Sequence, residues 1–412
     1  MKIGFLGLGK LGLPVALAVE SKGHEVVGFD VSSKVEKIIK EKKIPYKEEF
    51  VQKYIKKSKI KFTKIKELVK HSEIIFVPIQ TPHDPAYEGV SRIPKKRVDF
   101  NYEYLIAGIK NLSIEIEKQK TNKVVIIIST VLPGTIRSKI KPLLGKYTKL
   151  CYNPFFIAMG TTMRDFLSPE FILFGVDDAS AAQKAEKFYR TINNSVFYKT
   201  SIENAELIKV SYNTFISTKI AFINTIMEMC NKLPGTNIDD VSNALSLGSK
   251  RLISDAYLRG GMGDGGGCHP RDNIALSWLA QKLNISNDFF EQIMMQREKQ
   301  TEWYVDLIKS KKNKNDKVYI LGKSFKPETN IQTGSPSILL FNLLKEKKEK
   351  VIIYDPHIDK KKPKFSKGVY FIGTKHEVFE KFKFPKNSTV IDPFRMINKM
   401  KGINLIRIGD NT

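Results

Sequence analysis

Residues 260–273 read GGMGDGGGCHPRDN: six glycines in fourteen residues, one cysteine, and His269, Arg271 and Asp272 just after it. Glycine carries no Cβ, so a thiol set among glycines is open to close approach by a ligand. A cysteine beside ionisable side chains is a candidate nucleophile. The plainer reading is a loop with an incidental cysteine. Residues elsewhere in the chain decide between the two.

A second constellation stands at the N-terminus. The apolar run 3–8 (IGFLGL) leads into Gly7-Leu8-Gly9-Lys10-Leu11-Gly12, a G-x-G-x-x-G at the end of a predicted strand. A helix should follow over about 11–22, with Pro14 tolerable in its first turn. A second strand, Glu25–Asp30, ends in an acid 18 residues after Gly12. Glycines permit a tight turn and close approach of a pyrophosphate, and the helix start supplies N–H groups and a positive dipole end. Asp30 would accept hydrogen bonds from a ribose diol and repel a 2′-phosphate, which favours NAD over NADP. Lys10, Leu11 and Lys34 are further candidate cofactor contacts.

The third constellation is a polar stripe on an otherwise apolar segment. Residues 201–232 read as one long helix, with Ser201 as its cap. Glu206, Lys209, Asn213 and Ser217 fall at i, i+3, i+7 and i+11, on one face. Such stripes commonly face water. Here the rest of the helix is apolar nearly all round, so burial is expected and the stripe reads better as the lining of a cleft.

The elements that must hold these residues are of α/β type. Near-continuous apolar runs at 73–79, 123–128, 147–152 and 171–176 read as strands buried on both faces. Thr81 and Thr130 sit just past the carboxyl ends of two of them, where ligands bind in open α/β sheets. Residues 83–100 read as a polar insertion. Near the C-terminus the rhythm returns: strand 318–321, then Gly322-Lys323-Ser324-Phe325-Lys326-Pro327, and strand 351–354 ending in Asp355. It is an echo of the first half with one glycine where the first copy has three. Ser335-Pro336 reads as a helix start, and with Lys326 nearby makes a candidate diphosphate site. The expected architecture is two Rossmann-like lobes, an N-terminal doubly wound parallel sheet and a smaller C-terminal α/β lobe, joined by a central all-helical region. Its boundaries are 1–198, 199–312 and 313–412.

Composition bounds the rest. The 412 residues exceed one ordinary core. Cys151, Cys230 and Cys268 are odd in number and widely spaced, which argues for a reducing, cytoplasmic setting over a disulfide framework. No apolar run is long enough for a transmembrane helix, and the N-terminal run is too short and Gly-interrupted for a signal peptide. The formal charge of +26 favours anionic partners, but lysine is spread over the whole chain and no nucleic-acid-binding pattern accompanies it. No metal and no nucleic-acid partner are expected.

In this order the motifs resemble those of the UDP-glucose/GDP-mannose dehydrogenase family over almost the full length. The resemblance rests on Gly7/Gly9/Gly12, Thr81-Pro82, Ser129-Thr130-Val131 with Gly134-Thr135, Glu206-Leu207-x-Lys209-x-x-x-Asn213, Gly263 through Cys268 to Asp272, and Phe325-Lys326-Pro327. It implies oxidation of a sugar C6 alcohol to a carboxylate in two hydride transfers to NAD. It implies Cys268 as the nucleophile that traps the aldehyde and then carries a thioester, since a thiolate is both nucleophilic near neutral pH and a good leaving group. Asp272 would activate the hydrolytic water, Lys209 would stabilise the oxyanion, Asn213 would orient sugar or water, and Thr130 would hold a water near C6. Substrate contacts would come from Tyr257, Gly263, Gly265, Phe325 and Lys326, and from Arg251 or Arg259 reaching a neighbouring subunit. The partners implied are a nucleotide sugar, with UDP-glucose first, and a second copy of the chain in a homodimer.

Three departures stand out. The family's N-P-E-F-L-R-E-G is Asn153-Pro154-Phe155-Phe156-Ile157-Ala158-Met159-Gly160 here, so both acids are replaced. Asp264 stands where an aromatic is usual and His269 follows the cysteine, so either could supply the lost proton transfer. Thr333 stands where an arginine is usual. Two rival readings compete. A two-electron dehydrogenase of the 6-phosphogluconate or 3-hydroxyacid type would need neither the C-terminal lobe nor Cys268. A non-catalytic NAD or nucleotide-sugar binder would have no need of Cys268, Lys209, Asn213 and Asp272.

Overall fold

The computed structural model of the chain describes residues 1–46, 48–82, 99–158, 160–213, 215, 222, 230, 233–252, 260–263, 265, 281, 283–332 and 334–409. They fall into two compact units, Met1–Ser217 and Thr218–Thr412.

The first unit is built on strands β1 (Lys2–Leu6), β2 (Glu25–Phe29), β3 (Lys61–Phe62), β4 (Ile74–Val77), β5 (Lys123–Ile127), β6 (Thr148–Tyr152), β7 (Phe171–Val176) and β8 (Val196–Thr200). They form one sheet in the order β3-β2-β1-β4-β5-β6-β7-β8. Strand order reverses between β1 and β4, which opens a crevice at their carboxyl ends. Neighbours run parallel except β6 and β7, which pair antiparallel. That pair departs from the all-parallel expectation, because the β6–β7 segment carries only the short helix Thr162–Leu167 and does not lead the chain back across the sheet.

Why the strand runs are apolar without alternation is visible in the two faces. Helices α1 (Gly12–Ser21), α3 (Val51–Lys57), α6 (Thr162–Leu167) and α7 (Ala179–Tyr189) cover one face, packing Val15, Val19, Phe166 and Phe188 on Phe5, Phe76 and Ile126. Helices α4 (Ile65–His71) and α5 (Glu103–Gln119) and the helix at 202–213 cover the other, packing Leu68, Ile109, Ile116 and Ile202 on Val77 and Ile127. Ile126 and Ile127 therefore point to opposite faces and are both fully buried. Each such side chain contributes roughly 1.5–3 kcal/mol.

The second unit carries β9 (Lys317–Leu321), β10 (Val351–Tyr354), β11 (Gly368–Ile372), β12 (Ser388–Asp392) and β13 (Ile403–Arg407), in the order β10-β9-β11-β12-β13. All four pairings are parallel. One face packs on helices Phe289–Lys311 and Pro336–Glu346 through Tyr304, Ile308, Leu340 and Leu344. The opposite face has Phe379, Phe382 and Ile397 packed on Tyr319, Tyr370 and Val390, from loops and a single 3₁₀ turn. Ser335 caps the helix Pro336–Glu346 by accepting from Ser337 N, with Pro336 at its first position, as the sequence leads one to expect.

The echo between the two halves is close in geometry. Gly7 N donates to Phe29 O at 2.8 Å and Gly322 N to Tyr354 O at 2.7 Å. Both glycines hold a positive φ, 117° and 108°, open to glycine and strained for other residues.

Candidate functional site

The turn after β1 is shaped by its glycines. A Cβ on Gly12 would lie 2.2 Å from Gly7 O, so α1 can start flush against the turn only with glycine there. Gly9 faces open space, with no atom within 4 Å of a Cβ built on it. The start of α1 has no side-chain cap; Leu13 N and Val15 N donate to Gly9 O and Leu11 O at 3.0 and 3.3 Å, and the positive dipole end of the helix is left without a side-chain partner at the glycine turn. At the end of β2 the half-buried Asp30 accepts from Leu8 N at 2.8 Å and Ser32 N at 2.9 Å. Its oxygens retain lone pairs for a diol. This cradle fits a dinucleotide. Lys10 and Lys34 are exposed, and Leu11 packs partly against the core.

Thr81 and Thr130 come together on the β4–β5 side of the crevice. Thr81 Oγ1 donates to Thr130 O at 2.7 Å, tying the loops after β4 and β5. Beyond Thr130 the chain turns through Gly134 and Ile136, whose N–H groups both donate to the Glu206 carboxylate, at 2.5 and 2.7 Å. Glu206 is fully buried. Burial pushes its carboxyl pKa up, opposed by those two N–H groups. The sequence places Glu206 on a cleft-lining stripe; the structure instead gives it a clasp that joins the 202–213 helix to the Thr130 loop.

One turn further along, Lys209 is buried, 7% exposed. Its Nζ lies 3.5 Å from Asn213 Oδ1 and 5.0 Å from the Phe156 ring centroid. It has no carboxylate partner among the described residues, and burial lowers its pKa. Phe156 is fixed by Phe171 and Tyr212, with ring centroids 4.7 and 4.6 Å away. The turn before it is pinned at the buried Asn153, which accepts from Tyr189 OH and donates to Leu173 O at 2.9 Å. Phe155, where the family places an acid, turns instead to Phe166, 5.5 Å between centroids. Asn213 is exposed. Every described residue between 202 and 230 is helical, but Leu207 and Phe215 are 52% and 46% exposed, against the expected burial all round.

The glycine-rich segment enters the description only at its start. A Cβ on Gly265 would lie 3.0 Å from Phe325 Cβ and from Gly334 O, so this glycine is set by packing on the Phe325 loop. Gly263 lies over Arg297. Phe325 is half-buried, and the exposed Lys326 reaches over its ring at 5.5 Å. Arg251 is exposed. Cys268, Asp272, His269, Arg271, Asp264, Tyr257, Arg259, Ser217, Met159, Thr333 and most of the 83–100 insertion lie outside the described residues. Of the other thiols, Cys151 is fully buried, and burial pushes it up to about 12. It is chemically inert near neutral pH.

Sequence reasoning missed three features: the Glu206 clasp, Phe156 as the floor under Lys209, and the buried Ser324–Asp355–His376 group. The first had a signal, since a glutamate on a nearly all-apolar helix must find donors when buried. The others depend on loop paths that periodicity does not encode.

Comparison with known proteins places this geometry. Models of the UDP-glucose/GDP-mannose dehydrogenase family match the chain in its NAD binding domain (residues 1–193), central domain (203–298) and UDP binding domain (319–401). A UDP-glucose 6-dehydrogenase of Rickettsia bellii is 30% identical over 86% of this chain and 81% of its own length. A GDP-mannose 6-dehydrogenase of Pseudomonas aeruginosa is 28% identical over 87% of this chain and 82% of its own length. The crystal structure of a GDP-mannose dehydrogenase from Pseudomonas aeruginosa superposes with a TM-score of 0.88 over 98% of this chain and 99% of that one, at 24% identity. No helix among the described residues is long and apolar enough to cross a membrane. The chain belongs to the UDP-glucose/GDP-mannose dehydrogenase family, and it is an NAD-dependent oxidoreductase of the nucleotide-sugar 6-dehydrogenase type.

Proposed function

We propose that the chain oxidises the C6 alcohol of UDP-glucose to the carboxylate, with UDP-glucuronate as product. The observation that carries this is Lys209: a buried ammonium with no carboxylate partner among the described residues, next to Asn213 and clasped through Glu206 to the Thr130 loop. A partly desolvated cation stabilises an oxygen that gains negative charge far better than an exposed one does.

NAD, which the Gly7–Gly12 turn and Asp30 would hold, would supply the hydride acceptor for both oxidations. In the first, the C6 hydroxyl gives up a proton and a hydride and becomes an aldehyde. Cys268 Sγ, as thiolate, then adds to the aldehyde carbon, and Lys209 offsets the charge on the former carbonyl oxygen. Loss of the second hydride leaves a thioester. Asp272 takes a proton from water, the hydroxide adds, and the Cys268 thiolate leaves with the carboxylate formed. Asn213 and Thr130 hold the reacting oxygens, and Lys326 offsets the diphosphate charge. The balance is one alcohol and one water in, one carboxylate out, with two hydrides transferred and three protons released.

UDP-glucose is favoured by the GGGCHPRD form of the cysteine loop. GDP-mannose is the second reading, because relatives of both kinds match the chain at similar identity. The exposed Leu207 and Phe215 on the 202–213 helix and beyond support a homodimer through this region. The test is NADH formed per sugar consumed over a panel of UDP- and GDP-sugars. Two supports the proposal, one means a simple dehydrogenase, and none a binding protein; the panel names the sugar.

A further inference from the structure

We propose that His376 is a positioning residue that sets the path of the Gly322–Glu328 loop and so places Phe325 and Lys326 for a nucleotide-sugar diphosphate. The inference rests on the reading of Lys326 as a substrate contact.

The loop leaves β9 and is held at both ends by one buried group. At its start, Lys323 N and Ser324 N donate to Asp355 Oδ2 at 2.7 and 3.0 Å, and Ser324 Oγ lies 3.0 Å from the same oxygen. At its end, Glu328 N donates to His376 Nδ1 at 3.0 Å. His376 Nε2 lies 2.8 Å from Ser324 Oγ and 3.1 Å from Asp355 Oδ2. His376 and Asp355 are both fully buried. A third tie runs from Thr374 Oγ1 to Ser324 O at 2.6 Å. Phe325, Lys326 and Pro327 are the residues strung between these anchors.

The network has one consistent proton arrangement. Nδ1 accepts from a backbone N–H, so the ring proton sits on Nε2 and points at Ser324 and Asp355. The imidazole thus connects the two ends of the loop: its acceptor side holds Glu328 and its donor side holds the Asp355 group. Glu328 is held at φ 52°, in the left-handed region that a glutamate adopts only under constraint. Its carboxylate accepts from Glu377 N at 3.0 Å and lies 3.2 Å from His357 Nε2. Without the Nδ1 acceptor, nothing buried holds the Glu328 amide, and the Lys326 segment loses its far anchor.

The two ring nitrogens can be tested apart. Asparagine places a polar atom near the position of Nδ1, and glutamine near that of Nε2. His376→Gln therefore keeps a donor toward Asp355 and removes the acceptor for Glu328 N. It should raise the KM for the nucleotide sugar about five- to tenfold, the equivalent of one lost buried hydrogen bond, with the KM for NAD unchanged and faster hydrogen exchange at the Glu328 amide. His376→Asn should recover most of the loss in sugar KM. Ser324→Ala, a milder break of the same network, carries the test if His376→Gln does not accumulate. Lys326→Ala is run alongside. If it raises sugar KM while His376→Gln and Ser324→Ala do not, the positioning role is overturned. If His376→Gln frees the Glu328 amide but neither it nor Lys326→Ala changes sugar KM, the clamp stands and the substrate reading of the loop falls. Equal losses of sugar and NAD affinity in the two His376 variants would mark the histidine as merely structural.

Discussion

Asp30 and Asp355 hold equivalent places in two copies of one turn, yet only Asp30 is left open to a ligand. Each ends the second strand of its lobe and accepts from the N–H groups of the glycine turn, Leu8 in one case, Lys323 and Ser324 in the other. Asp30 is half-buried, while Asp355 has no exposed surface and is sealed by Ser324 and His376. The first lobe keeps a carboxylate partly open to solvent; the second has converted its copy into an internal fastener. Asp30→Ala should weaken NAD binding about tenfold or more, as expected when a charged hydrogen-bond acceptor is lost, with little change in nucleotide-sugar affinity. Titration of each ligand separately checks this.

Asp355→Asn should leave NAD binding intact and destabilise the second unit by about 3 kcal/mol or more, since a buried charge network loses one member. Acid should act at the same place. Burial alone would raise the Asp355 pKa, but His376 and the N–H groups of Lys323, Ser324 and His357 outweigh it and hold the carboxyl well below the usual range. Its contribution is therefore complete above the ordinary aspartate value, about 3.9, and is lost as pH falls below that toward the lowered folded value. Denaturant midpoints of wild type and Asp355→Asn should differ most at neutral pH and converge in strong acid.

Much of this arrangement was legible in the sequence. The apolar runs fixed β1, β2, β4 to β7, β9 and β10 to within a residue or two, because strands buried on both faces leave no polar interruptions. Ser335-Pro336 marked a helix start through its own local chemistry. Beyond Tyr354 the strands β11 to β13 went unread, as lysine-rich connections between short runs give no period to follow. Thr81 and Thr130 were legible as loop residues, but their hydrogen bond was not, since it depends on how two loops meet. Phe155 was recognisable as a lost acid; that it turns to Phe166 while Phe156 takes the place beside Lys209 follows from the pinned Asn153, a tertiary contact.

Glu206 gives a direct test of that kind of contact. Glu206→Gln keeps the shape but turns an amide NH₂ toward one of two backbone donors, Gly134 N or Ile136 N. Leaving a buried donor unmet should destabilise the first unit by about 1–3 kcal/mol. If the clasp also sets Lys209 against Thr130, kcat should fall by more than NAD affinity does, because displacement of catalytic groups by about 1 Å can lower a rate by about a hundredfold. Thermal unfolding and steady-state kinetics on the same variant separate the two effects.

Thiol chemistry distinguishes the three cysteines. Cys151 is buried with its pKa pushed up to about 12 and should resist alkylation in the native protein. Cys230 is partly exposed. A native Cys268→Ser variant should therefore take up label at Cys230 alone, and label at Cys151 should appear only on unfolding. Label at Cys151 in the folded variant would mean that the sheet around β6 opens far more readily than its packing implies.

If Lys209 is the oxyanion cation proposed above, it should set the alkaline limit of catalysis. Burial holds its pKa below the ordinary lysine value, so it loses its charge at lower pH than a solvated lysine. The unfolded chain keeps that proton to higher pH, so this group makes folding more favourable as pH climbs through the window below about 10.4. Activity should move the opposite way, because oxyanion stabilisation needs the ammonium. The kcat/KM profile should fall on its alkaline side while the protein stays folded. Lys209→Arg, whose guanidinium stays charged across the range, should lower the plateau, since a larger head does not fit over Phe156, and should abolish the alkaline fall. An alkaline limb that persists unchanged in Lys209→Arg would assign it to another group and remove Lys209 from the oxyanion role.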